Sequence, residues 1–181
     1  MKSRLLLPDV ATLTAEQEDV RRSILTTRGN LDGPFLAWLH SSQFAGKAEQ
    51  LGAVCRYGVD LSRAEIETLI LVAAARFRCN GEWAIHAPLA QQAGVEHTAI
   101  AAILSGLRPK FAIRRLQILH DLAVELLTTS RIGANLFSEA LEDLGEKRLV
   151  EAVGVVGYYA LVAMTLNAFE LTVEGQSTFF E

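Results

Sequence analysis

The stretch SRAEIETLILVAAARFRCNGEWAIHAPLAQQAG, residues 62–94, decides the fold and holds most of the chemistry of the chain. Ser62 followed three residues later by Glu65 is a capping box, in which each side chain satisfies a backbone N–H that a first helical turn leaves free. From Arg63 to about Arg78 the sequence is apolar nearly all round. Between Ile66 and Phe77 the polar side chains are Glu67, Thr68 and Arg76. A helix apolar on every face is a buried one, so this segment predicts the central rod of a helical domain. Asn80 and Gly81 break it, and a further helix runs to Gly94.

The helical spacing continues in both directions. Upstream, Thr14 opens a Thr-Ala-Glu-Gln capping box for a helix ending near Arg28 and Gly29. Gly33 and Pro34 open a short helix carrying Phe35, Leu36, Trp38 and Leu39, since proline is tolerated in a first turn. Ser41 or Ser42 caps a third helix through Cys55 that ends near Tyr57 and Gly58. Downstream, one helix spans about Glu96 to Ser105, and three more follow from Arg114, broken around Ser130–Gly133 and at Gly145. No linker or low-complexity segment divides the chain, so residues 1–181 read as a single all-α domain with its core motif region at 61–95. Laying Gly94 on Gly145 gives a degenerate internal repeat in which Phe137 falls at His86 and Ile118 at Glu67, so a second copy is structural.

Composition narrows the function. The 181 residues include 17 Lys plus Arg, 21 Asp plus Glu, a net charge of −4 and 50% hydrophobic residues. That is enough chain for a full core, with no basic stripe for nucleic acid or anionic lipid. The longest apolar run, Ala152–Leu166, contains Gly154 and Gly157 and is shorter than the roughly 20 residues that span a bilayer. It reads as a buried helix that also offers a subunit interface near Tyr158 and Tyr159. The Leu run before Pro8 is too short for a signal-peptide core, so the expectation is a cytoplasmic protein with Cys55 and Cys79 reduced.

Glu67 is a candidate buried carboxylate, whose pKa burial would raise toward the range useful for acid–base work. It is equally well placed for an i, i+4 pair with Arg63. Cys79, Glu82 and His86 lie three and four residues apart and share a stripe at the start of their helix. Free N–H groups there favour a thiolate or an oxyanion, and Glu82 with His86 can relay a proton. The plainer reading is an exposed Glu82–His86 pair beside a small buried Cys79. Two carboxylates and one imidazole are too few for a metal centre, and the Glu-x-x-x-His spacing differs from that of di-iron bundles, so neither a metal nor a cofactor is expected. Trp83 and Tyr57 are candidate substrate-binding walls, with Trp38 as core or wall. Arg56, Arg76 and Arg78 are surface residues or carboxylate clamps. His97 reads as a solvent-facing first-turn residue, and His40 and His120 read as structural.

With these residues in place, the chain resembles the carboxymuconolactone decarboxylase family, which includes the alkyl hydroperoxidase D-like proteins. The resemblance runs through RGNLDGPF (28–35), LSRAEIETLILVAAARF (61–77), GEWAIHAPLAQQAGV (81–95) and GYYALVAMTLNAFEL (157–171). The peroxidase branch carries Cys-x-x-Cys-x-x-x-His at a helix start, with a glutamate a dozen residues upstream. Cys79, Glu82 and His86 take the Cys, Cys and His places, and Glu67 takes the upstream glutamate. A carboxylate at 82 cannot form the disulfide of that dithiol. The resemblance therefore implies a homo-oligomeric, cofactor-free acid–base enzyme of lyase or isomerase type, acting on a small organic acid or lactone. A thiol-dependent peroxide reductase using Cys79 with His86, and a non-catalytic oligomeric scaffold, are the alternatives.

Overall fold

The structure, a computed structural model, describes residues 1–173 and 175–180. It has eight α-helices among these residues: α1 Ala15–Arg28, α2 Phe35–Trp38, α3 Ser42–Ala53, α4 Arg63–Arg76, α5 Asn80–Gln92, α6 His97–Leu104, α7 Arg114–Thr129 and α8 Ala134–Ala168. The extended pairing they contain is one isolated bridge between Lys2 and Thr172. The all-α reading holds.

Both capping boxes form, Thr14 with Gln17 at α1 and Ser62 with Glu65 at α4. The residues from Glu65 to Ala74 are all buried, and α4 packs against α5, α7 and α8. It is therefore the central rod that its sequence predicts. It stops at Arg76, two residues short of the expected end, because Arg78 turns the chain with φ 51° so that Cys79 can cap α5.

Two local departures matter for the site. The third helix does not run on unchanged through Cys55: after Ala53 it widens into a π-helical turn, Val54–Gly58. Such turns displace side chains from the register a regular helix would give them, and they recur at functional sites. Gly145 has φ 74° and ψ 168°, so α8 is interrupted where glycine was expected to break it. Beyond that break, Val155, Val156, Tyr158, Tyr159, Val162 and Leu166 face the core. Alpha8 is long and apolar enough to cross a membrane by length and composition, but more than half of its most apolar window is buried within the fold. That pattern is the one a core helix shows.

Candidate active site

Alpha4 and α5 pack against each other, and this brings Glu67 and His86 together. Glu67 has no exposed surface and His86 is 2% exposed. Glu67 Oε2 lies 2.7 Å from His86 Nδ1. A carboxylate only accepts, so Nδ1 carries the hydrogen and donates it. The second oxygen of Glu67 forms a 2.7 Å ion pair with Arg63 Nη2, off the line of a hydrogen bond. Glu67 is thus buried, as one reading of the sequence expects, and paired with Arg63, as the other expects, and it also holds the histidine.

On the far side of the ring, His86 Nε2 stands 3.5 Å from Glu82 Oε2, close but not hydrogen-bonded. Glu82 is buried, so the pair is not the exposed one that i, i+4 spacing alone allows. Burial raises the Glu82 pKa above the ordinary carboxylate value; His86, then Arg56 and Arg28, oppose this, and Glu67 adds to it. A carboxyl so placed keeps its proton to higher pH than an exposed one.

Cys79 is the N-cap of α5 and is 1% exposed. Burial pushes its thiol up to about 12, although the N–H groups of Glu82 and Gly81 reach the sulfur and favour the thiolate. Desolvation outweighs the helix terminus here, contrary to the expectation of an activated thiol. Cys55, in the π-helical turn, is also buried, with its thiol pushed up to about 11. Both cysteines are free.

The remaining candidates separate. Trp83 is buried edge-on against Phe180, with ring centroids 5.6 Å apart. Tyr57 is 58% exposed, with the Arg56 guanidinium 5.7 Å from its ring. Arg76 and Arg78 line a separate groove of about 660 Å³ between α4, α6 and α7, together with His120 and Asp121. His40 binds the Leu6 carbonyl at 2.7 Å, His97 is exposed at the start of α6, and buried His120 pairs with Asp121 at 2.8 Å. Among the described residues no group of three His, Cys, Asp or Glu side chains is arranged to hold a metal ion.

The fold adds residues that sequence reasoning did not assign to the site. Tyr159 lies edge-on to His86, centroids 5.4 Å apart, and Tyr158 lies edge-on to Tyr159 at 5.3 Å. The expected interface tyrosines are therefore turned into the core. Arg28, from the end of α1, and Glu49, from α3, complete the surroundings; both act electrostatically on the Tyr158 phenol. Arg28 stands in the RGNLDGPF stretch and Tyr159 in GYYAL, so both were in view, but helical spacing cannot show that distant helices aim them at one point.

Seven buried side-chain polar atoms lack a hydrogen-bond partner among the described residues, and all belong to this neighbourhood: Arg28 Nε and Nη2, Arg56 Nε, Tyr159 Oη, and one oxygen each of Glu49, Glu67 and Glu82. Native interiors satisfy nearly all such atoms, so these seven call for partners that the protein side chains do not supply, from water or from a ligand.

No protein-family model and no curated protein matches the sequence. Solved structures do. An uncharacterised peroxidase-related protein from Ralstonia eutropha JMP134, described as an alkylhydroperoxidase AhpD core, superposes with a TM-score of 0.77 at 17% identity, over 98% of this chain and 94% of that one. An uncharacterised peroxidase-related protein from Silicibacter sp. TM1040 gives a TM-score of 0.77 at 15% identity, over 98% and 95%. The match spans both chains nearly end to end, and the protein has the AhpD-core fold.

Proposed function

We propose that the protein is a cofactor-free acid–base enzyme of lyase or isomerase type, acting on a small organic acid or lactone. The observation that carries this is the buried Glu67–His86–Glu82 series, in which Glu82 Oε2 faces His86 Nε2 at 3.5 Å and makes no hydrogen bond. Glu82 exchanges a proton with a substrate carbon next to a carbonyl. His86 Nε2 backs it, with its ring oriented through Nδ1 by Glu67. In a decarboxylation the C–C bond to the carboxylate breaks, its electron pair moves onto the neighbouring carbonyl oxygen, and Glu82 returns a proton to carbon. The Tyr159 hydroxyl, an unpartnered donor beside the imidazole, suits the enolate oxygen that develops.

The description of the fold neighbours as peroxidase-related favours a second reading, peroxide reduction at Cys79 with His86. The buried, protonated thiol and the carboxylate at 82 weigh against it. The test is deuterium incorporation from D₂O into small keto acids and lactones, read by NMR. Glu82→Gln keeps shape, so it should stop exchange while leaving the thermal transition nearly unchanged; Cys79→Ser should leave exchange running. If Glu82→Gln collapses the fold and no wild-type exchange is found, the cluster is a packing scaffold. We further propose that the chain acts as a homo-oligomer, through the outer face of α8.

A further inference from the structure

We propose that Arg28 and Arg56 form a clamp for the carboxylate of the substrate, so that the enzyme takes an organic anion, held at one end by two guanidinium groups while Glu82 works on its carbon. This rests on the acid–base reading above and names the substrate class within it.

The two arginines come from elements outside the motif region, α1 and the π-helical turn. Each has buried guanidinium N–H groups with no acceptor: Nε and Nη2 of Arg28, Nε of Arg56. Among the described residues neither makes an ion pair within 4.0 Å, whereas Arg63 does so with Glu67. Leaving buried charged donors without acceptors costs folding free energy, which a bound anion would offset. Guanidinium groups suit this because their planar fork matches the two oxygens of a carboxylate.

Arg28 is held in place rather than free to swing out. Its guanidinium lies 4.8 Å from the Phe35 ring centroid, and its Nη2 shares with the Tyr158 hydroxyl the space over Gly52. A Cβ at Gly52 would stand 2.6 Å from that nitrogen. Geometry ties both arginines to the cluster: Arg63, which pairs with Glu67, donates through Nη1 to the Arg56 carbonyl at 3.4 Å, and Tyr158, which crowds the same space as Arg28 Nη2, stacks edge-on with Tyr159 and through it with His86. Both guanidinium groups also act electrostatically on Glu82 and on Tyr159. Glu49 and Glu82 contribute the acceptor oxygens nearby, yet neither reaches ion-pair distance. An incoming carboxylate would supply the missing acceptors, and a neutral lactone would not.

The clamp is tested by binding, without turnover. The probe is levulinate, a keto acid, with its uncharged methyl ester as control and formate and acetate as smaller anions. The readout is the pair of Arg28 and Arg56 Nε–Hε NMR signals, with affinity from calorimetry. Levulinate should shift both signals and the ester neither. Arg28→Met and Arg56→Met should each weaken levulinate about tenfold or more, as expected on removing one charge-assisted partner. Arg28→Lys should recover part of the loss. If no anion moves either signal at millimolar concentration, the wild-type spectrum alone overturns the clamp, and the buried N–H groups are serving bound water. Equal binding of ester and acid would overturn it too. Anion binding that is intact without any deuterium exchange would instead defeat the acid–base reading and leave the clamp standing.

Discussion

Gly52→Ala sets helix propensity in α3 directly against the packing of Tyr158 from α8. Gly52 lies inside α3, where alanine is the better helix former by about 1 kcal/mol. By propensity alone the change stabilises. A Cβ there, however, would sit 2.1 Å from the Tyr158 hydroxyl oxygen and 2.4 Å from its Cζ, in addition to the Arg28 contact. Ordinary contacts to a Cβ are 3.4 Å or longer, so the ring must retreat by more than 1 Å. Tyr158 cannot do this cheaply, because it is buried and wedged edge-on between Trp38 and Tyr159. Overpacking of this kind costs about 1–3 kcal/mol, and a clash with a rigid ring belongs at the upper end. The net expectation is a loss of about 2 kcal/mol, or a fall in Tm of about 4–8 °C for a domain of this size. Urea and thermal unfolding of the wild type, Gly52→Ala, and Gly52→Ala combined with Tyr158→Leu measure it. The double variant should recover more than Tyr158→Leu alone predicts. A single variant as stable as wild type, or more so, would show that α3 and α8 are not in the contact described, and the clamp geometry would go with it.

Three further outcomes follow from the structure. With its thiol at about 12, Cys79 should be ionised at pH 8 to about one part in ten thousand, so iodoacetamide labelling read by intact mass should be far slower than for a free thiol; rapid labelling below pH 8 would instead point to the peroxide-reductase reading. Burial pushes the Asp121 carboxyl up, but hydrogen bonds from His120 and Arg108 win and hold it at about 2, below its ordinary 3.8. Its contribution, at most about 2 kcal/mol, is therefore complete above that ordinary value and lost as pH falls through about 2; Asp121→Asn should flatten the urea midpoint in that window, and identical pH slopes would contradict the assignment. Val150 is 71% exposed, and with Val153, Gly157 and Met164 it makes an outward face of α8. If this face carries the proposed homo-oligomer contact, Val150→Glu with Val153→Glu should dissociate it in light scattering, and a monomeric wild type would refute the proposal.

Much was legible before folding because it depends on neighbours in sequence. The two capping boxes, the all-round apolar α4, the break at Gly145 and the stripe of Cys79, Glu82 and His86 are matters of spacing along one helix, and each lies where periodicity puts it. The end of α3 was not legible, since a π-helical turn keeps helical spacing while shifting where Cys55 and Arg56 point. Nor could spacing choose between Arg63 and His86 as the partner of Glu67; packing of α4 on α5 allowed both.

The sequence by itself determined the helices, their capping and the stripe of Cys79, Glu82 and His86, because 3.6-residue periodicity and side-chain chemistry are local properties. Only the tertiary structure decided what state those residues are in. Burial is set by helices far apart in the chain, and it makes Cys79 a neutral thiol, lifts Glu82, and turns Tyr158 and Tyr159 inward. The same packing carries Arg28 from the end of α1 to the space over Gly52 of α3 that it shares with Tyr158 of α8, a meeting that no pattern of nearest neighbours encodes.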